Sequence, residues 1–147
     1  MKVFTNGCFD ILHRGHLELL KYAHSLTVPA MGGKLIVGLN SDSSIFRIKG
    51  QYYDPTTHQW ISLGRPINNQ EDRKYHLECL SFVDEVQIFG EDTPRKLIDK
   101  IKPDLIIRGE SSSWSQEEVE PYEVKIFHHI DGYSTTSIIN EISSDRR

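Results

Sequence analysis

Two histidines three residues apart, His13 and His16, stand in the run Asn6-Gly7-Cys8-Phe9-Asp10-Ile11-Leu12-His13-Arg14-Gly15-His16. At that spacing on a helix both imidazoles share one face. The run reads as a strand that ends in a turn and then opens a helix, and backbone amides at such a turn are not consumed by the helix itself. They make a seat for an anion, reinforced by the helix dipole. Imidazoles over that seat would hydrogen-bond the phosphate oxygens on which charge develops during a displacement. Gly15, between them, leaves room for a ligand to come close. Surface or core histidines and metal ligands share this spacing, but a third metal ligand at a sensible distance along the chain is missing.

Something must position those groups, and the apolar pattern shows what. Val3-Phe4, Leu35 to Leu39, Val86 to Phe89, Leu105 to Ile107 and Val124 to Phe127 are short, nearly continuous apolar runs of the kind that form buried strands. Leu17, Leu20, Ala23 and Leu26 make one helical stripe, with Glu18, Lys21 and His24 turned elsewhere. A second helix is predicted from about Asn69 to Phe82, capped by Asn68 with Glu71 in capping-box position. Thr93-Pro94 marks a third start, with proline at the first helical position, where it loses no hydrogen bond. A last helix begins near Ser134 and turns Ile138, Ile139 and Ile142 inward. The alternation predicts an α/β fold, a doubly wound parallel five-stranded sheet with helices on both faces. Ligands of such sheets bind beyond the carboxyl ends of the strands, where the winding reverses. Residues 50–64 are polar and aromatic around the turn signal Asp54-Pro55 and are expected to form a flap or hairpin. The tail 143–147 is expected to fray.

Composition narrows the class. A chain of 147 residues is one domain's worth, and a net charge of −4 is not the surface of a nucleic-acid binder. Cys8 and Cys79 are the two cysteines, in no zinc or disulfide spacing, which fits a reducing compartment. No segment approaches the roughly 20 apolar residues that span a bilayer, and the N-terminus does not read as a signal peptide. The expectation is a soluble cytoplasmic protein with neither nucleic acid nor membrane as partner.

With those residues in view, the run from Asn6 to His16 resembles the signature of the HxGH nucleotidyltransferases, a superfamily that includes the cytidylyltransferases. Further landmarks follow in the family's order: Leu39-Asn40-Ser41-Asp42, Lys49-Gly50, Arg65-Pro66 with Gln70-Glu71-Asp72-Arg73, Val83 to Val86, and Gly132 to Thr136. Glu91-Asp92-Thr93-Pro94 and Lys102 to Gly109 are most similar to the nucleotidyltransferase domain of bifunctional ADP-heptose synthases, and less so to glycerol-3-phosphate cytidylyltransferases. The resemblance spans nearly the whole chain, a single domain over 1–142. It implies a Rossmann-like sheet, a homodimer, an NTP carrying Mg²⁺, and in-line attack of a substrate phosphate on the α-phosphorus. ATP is the favoured nucleotide and a sugar phosphate such as heptose 1-phosphate the favoured acceptor. The companion sugar-kinase domain is not within these residues, so the phosphorylated substrate is expected from elsewhere.

The resemblance also assigns roles. His13 and His16 stabilise the α-phosphate and the leaving pyrophosphate, while Cys8, Phe9 and Gly15 frame the phosphates. Lys49, a mobile ammonium, reaches the substrate phosphate, or is a solvated loop lysine; Arg73 grips phosphates from the second helix, or is a plain salt-bridge residue. Asn40, Asp42 and Arg65 belong with the acceptor. Asp10 orients a donor or helps hold Mg²⁺, or is an ordinary turn aspartate. Ser134, Thr135 and Thr136 open the last helix and hold the β- and γ-phosphates, although a plain N-cap accounts for one of the three hydroxyls. No residue is expected to bind a metal of the protein's own.

Two departures bear on substrate. Arg108-Gly109-Glu110-Ser111-Ser112-Ser113-Trp114 replaces the glycine-aspartate pair usual in the heptose enzymes, at a loop that contributes to nucleotide selection in the family. The extra residues 50–64 are expected to bring Tyr52, Tyr53, His58 and Trp60 close to the substrate phosphate, to stack on a sugar or base, or else to form a surface flap or dimer contact. His128 and His129, at the end of the fifth strand, could line the pocket but read rather as structural. Other readings are a cytidylyltransferase for glycerol 3-phosphate, another polyol phosphate or a phospholipid head group, and a catalytically silent nucleotide-binding module.

Overall fold

The computed structural model describes residues 1–144. Along the chain run β1 (Lys2–Gly7), α1 (Arg14–Ser25), β2 (Lys34–Asn40), α2 (Asp42–Lys49), β3 (Gln51–Asp54), β4 (Gln59–Ser62), α3 (Gln70–Glu78), β5 (Glu85–Phe89), α4 (Arg95–Ile101), β6 (Leu105–Gly109), β7 (Val124–Phe127) and α5 (Thr135–Ser143). Five of the strands form one parallel sheet in the order β5-β2-β1-β6-β7. This is the five-stranded α/β sheet that the apolar runs predict. β3 and β4 pair only with each other, antiparallel, with Tyr53 opposite Trp60.

Successive residues of a strand go to opposite faces, and both faces here are covered. Val3, Val37, Leu39 and Ile107 pack with Leu20 and Ala23 of α1 and Leu77 of α3. Phe4, Ile36 and Ile106 pack on the other side with Leu97, Ile98 and Ile101 of α4, and with Trp114. Fully burying a side chain of this size contributes roughly 1.5–3 kcal/mol, so the two clusters fix the sheet between its helices. From β1 the chain steps outward through β2 to β5, then returns to lay β6 on the opposite flank of β1. The winding therefore reverses between β1 and β6, and a crevice opens beyond their carboxyl ends.

Element boundaries differ from expectation in four places. Helix α2 was not foreseen: Ser41 caps it by accepting from Ser44 N–H at 3.2 Å, and it buries only Ser44 and Ile45, too little for an apolar period. Helix α3 is capped by Asn69, which accepts from Asp72 N–H at 2.8 Å, and it stops at Glu78 rather than Phe82. Asn68 stands one residue before the cap, its N–H donated to Asp10 and its carbonyl accepting from Arg73. Pro94 is the N-cap of α4 rather than its first helical residue. In α5, Ile138 and Ile139 are half-buried but Ile142 is 76% exposed, one turn beyond the sheet. Ser143 closes α5, and positions 145–147 of the expected tail lie outside the described residues. No helix among the described residues is long and apolar enough to cross a membrane.

Candidate functional site

A cavity of about 460 Å³ lies beyond the carboxyl ends of β1 and β6, at the switch point. Its floor is the β1–α1 turn. Phe9 and Ile11 hold φ of +47° and +51° there, a left-handed conformation that non-glycine residues rarely adopt. Such strain persists only where the surroundings over-determine it, and they do. The Asp10 carboxylate accepts from the Ile67 and Asn68 amides at 2.6 and 2.9 Å, and the Asp10 carbonyl accepts from the Thr135 hydroxyl at 2.7 Å. Phe9 is buried against the His16 ring, centroids 5.4 Å apart.

His13 is the N-cap of α1 and His16 lies in its first turn. Their rings stack at 3.8 Å. His16 Nδ1 accepts from the His13 backbone N–H at 3.3 Å, so a neutral His16 carries its proton on Nε2. Burial, with the charges of His13 and Lys49 adding to it, pushes the His16 pKa down to about 3. Burial, then His129, lowers His13 as well, and its Nδ1 is buried without a partner. The pair is therefore a neutral donor set at pH 7. Gly15 makes the stack possible, because a Cβ there would stand 2.8 Å from His13 Cε1.

Two cations join this pair. Lys49, the last residue of α2, and Arg65 both line the cavity. The Arg65 side chain is 14% exposed, its Nε lies 3.8 Å from Asp10 Oδ2, and that Nε is buried with no hydrogen-bond partner. Cys8, Asn40, Gly109, Ser134, Thr135 and Thr136 complete the predicted residues that the cavity gathers. Of the three hydroxyls at α5, Ser134 Oγ caps the helix by accepting from Ser137 N–H and Thr135 Oγ1 is donated to Asp10. Thr136, exposed, is the one left facing the cavity.

Four predicted site residues are elsewhere. Arg73 is fully buried and spends four of its five N–H donors within the protein: its guanidinium donates to the carbonyls of Asn68, Cys8 and Asn40 and to Asp42 Oδ1, all at 2.8–2.9 Å. It braces the turn from behind and is not in the cavity wall. Asp42 is correspondingly its ion-pair partner rather than a cavity residue. Arg108 lies over the Trp114 ring at 5.4 Å and donates to the Trp114 and Ser112 carbonyls, so it shapes the loop after β6 without lining the cavity. Glu110 turns outward to hydrogen-bond His128. The aromatic hairpin residues Tyr52, Tyr53, His58 and Trp60 line no cavity wall.

Other cavity residues carried no individual role in the sequence, although Ser111 to Trp114 lie in the loop singled out there. Trp114 is 2% exposed, donates Nε1–H to Asn6 Oδ1 at 3.1 Å and lines the cavity with Ser111, Ser112 and Ser113. A lone tryptophan in a polar loop was the available signal. His129, read as structural, is in the wall, as are Tyr133 and Asp92. Asp92 is paired with Arg47 at 3.0 Å. Among the described residues no group of three or more His, Cys, Asp or Glu is gathered for a metal, and the Asp10 and Asp42 carboxylates are committed as above. These residues do not fit a protein-held Mg²⁺ site.

Comparison with known proteins agrees with this geometry. The model of the cytidylyltransferase-like family matches residues 4–146. The chain is 46% identical to a bifunctional protein HldE of Campylobacter concisus (strain 13826), over 95% of this chain and 26% of that one. It is 44% identical to the HldE of Helicobacter pylori (strain J99 / ATCC 700824), over 95% and 27%. The chain thus spans about a quarter of the length of these curated relatives. Among solved structures it resembles a lipopolysaccharide core biosynthesis protein from Thermoplasma volcanium GSS1, with TM-score 0.65 and 26% identity, covering 88% of this chain and 96% of that one.

Proposed function

The chain belongs to the cytidylyltransferase-like family and is a nucleotidyltransferase, and from that premise we propose that it moves the nucleoside monophosphate of an NTP, preferably ATP, onto a sugar phosphate such as heptose 1-phosphate. The observation that carries the reading is that two neutral, stacked imidazoles and two cations, Lys49 and Arg65, line one cavity at the switch point. An oxygen of the acceptor phosphate forms a bond to the α-phosphorus. The bond from that phosphorus to the bridging oxygen breaks, and its electron pair leaves on pyrophosphate. The attacking oxygen is already anionic, so no general base is needed.

His16 Nε2–H and the His13 imidazole hydrogen-bond the oxygens on which charge grows. Because both rings are neutral before the reaction, their dipoles are aimed in advance and need no reorganisation. Lys49 and Arg65 hold the incoming phosphate, and the amides at the turn and at the start of α5 hold the nucleotide phosphates. Mg²⁺, riding on the NTP phosphates, supplies charge neutralisation there, with no protein cage of its own. In the same reading the enzyme works as a cytoplasmic homodimer on free substrates, with neither nucleic acid nor membrane involved.

Pyrophosphate release with Mg²⁺ tests this, across ATP, CTP, GTP and UTP against sugar 1-phosphates, including heptose 1-phosphate, and glycerol 3-phosphate. Release with ATP and a sugar 1-phosphate is expected. CTP with glycerol 3-phosphate would move the chain to the polyol cytidylyltransferases, and silence with nucleotide still bound would make it a binding module. His16→Ala should lose about 100- to 1000-fold in rate with the fold intact; full activity in that variant would end the reading.

A further inference from the structure

A second cavity of about 450 Å³ adjoins the first, within the roughly 300–1,000 Å³ range of small-molecule sites. The two share Ile48, Lys49, Arg65 and Thr136 as a common wall. The remainder of the second lining is of a different kind. Gln51 and Leu63 come from the foot of the β3–β4 hairpin, where Leu63 N–H donates to the Gly50 carbonyl at 2.7 Å and closes the loop. Asn140 and Ile139 come from α5. Among the described residues the side-chain amides of Gln51 and Asn140 make no hydrogen bond, leaving each a donor and an acceptor to offer.

We propose that this second cavity receives the carbon skeleton of the acceptor, a hydroxyl-rich sugar phosphate whose phosphate rests on Lys49, Arg65 and Thr136 and whose hydroxyls meet Gln51 and Asn140. The inference rests on the transfer reading above and adds to it the place where the sugar is recognised and two residues, Gln51 and Asn140, that discriminate acceptors. Its chemistry follows from the lining. Neutral amides match hydroxyl groups, and Leu63 and Ile139 match the C–H faces of a sugar. The lining contains no carboxylate and no aromatic ring, so nothing is offered to the ammonium of an amino-alcohol head group. Position agrees: a phosphate on the common wall lies beside the histidine pair, close enough that the Lys49 charge is felt at His16. The insertion thus contributes to the site by its foot, while its aromatic tip stands away.

The test is a titration of the intact chain followed by the NMR signals of side-chain amides. Heptose 1-phosphate and glucose 1-phosphate should shift the Gln51 and Asn140 amides, whereas inorganic phosphate and phosphocholine should perturb only the neighbourhood of Lys49, Arg65 and Thr136. Sugar phosphates that leave both amides where inorganic phosphate leaves them overturn the proposal. In turnover, Gln51→Ala and Asn140→Ala should each raise the acceptor KM about tenfold, the worth of one neutral hydrogen bond, with the KM for NTP unchanged. Unchanged acceptor KM in both variants also overturns it. Absence of pyrophosphate release with every acceptor defeats the transfer reading instead, and the titration still decides the subsite.

Discussion

In the β1–α1 turn, Phe9 and Ile11 hold left-handed backbone, and the groups around them are tied to three distant segments: the loop before α3, the Arg73 guanidinium and the start of α5. In the β3–β4 hairpin His58 is left-handed too, at φ +56°, but its partners are local. Its Nδ1 bonds the Tyr53 hydroxyl at 3.0 Å, Asp54 accepts from Thr56 and Thr57, and the Tyr53 and Trp60 rings meet edge-on at 5.6 Å. The two segments hold left-handed backbone by unlike means. Ties from outside fix the β1–α1 turn relative to the sheet and the cavity, whereas ties from within close the hairpin on itself.

Breaking the external brace should therefore have the largest effect. Arg73→Met removes the donor to three backbone carbonyls at once and leaves Asp42 without its partner. Asp42, its side chain 41% exposed, regains water, but each carbonyl left without its donor costs about 1–3 kcal/mol, so the three together amount to about 3–5 kcal/mol or more. A shift of that size is expected in the urea midpoint, together with lost activity; a variant of wild-type stability would show that the turn supports itself.

Gly15→Ala sharpens the contrast by separating stability from placement. Alanine gains up to about 1 kcal/mol over glycine in a helix, less here in the first turn, and this offsets the cost of moving the His13 ring, so stability should change little. The new methyl meets the His13 ring, and a displacement of about 1 Å is enough for a loss on the order of 100-fold in kcat. A stable protein with slow turnover is expected, measured by thermal melting beside pyrophosphate release. Unchanged kcat would mean the His13 ring is free to move without consequence.

Acidity probes the same turn more gently. His16 is held near a pKa of about 3 in the folded chain, against 6.5 for a free histidine. Between those values the unfolded chain carries a proton that the folded chain refuses, so stability falls as pH drops from 6.5 towards 3. His16→Asn should flatten that slope, seen as a smaller difference between urea midpoints at pH 7 and pH 5. Equal slopes in the two proteins would place the lost stability in other groups.

What the sequence made legible follows the same division. The five strands and the His13–His16 pair announce themselves locally, through apolar runs and a helix start, and the structure puts them where those signals say. Arg73 and Asp42 could not be placed that way. Whether a charged side chain faces ligand or backbone depends on carbonyls 5 to 65 residues distant in sequence. Trp114 was obscured for a related reason, since burial of an aromatic in a polar loop depends on Asn6 of another strand. Helix α2 escaped because a two-turn helix with one buried apolar residue has no period to read.

The hairpin should show the smallest effects. A lone two-stranded hairpin is marginal by itself, and this one leaves Tyr53 45% and Trp60 65% exposed. Trp60→Ser removes only the edge contact with Tyr53, so stability should change by about 0.5 kcal/mol or less, as for other surface sites. Neither acceptor nor nucleotide KM should move, because Trp60 lines neither cavity. The urea midpoint and the two KM values, compared with those of Gln51→Ala at the hairpin's foot, check this. A loss well above 1 kcal/mol would mean that the aromatic tip is covered in solution, and the hairpin would then be held from outside as the β1–α1 turn is.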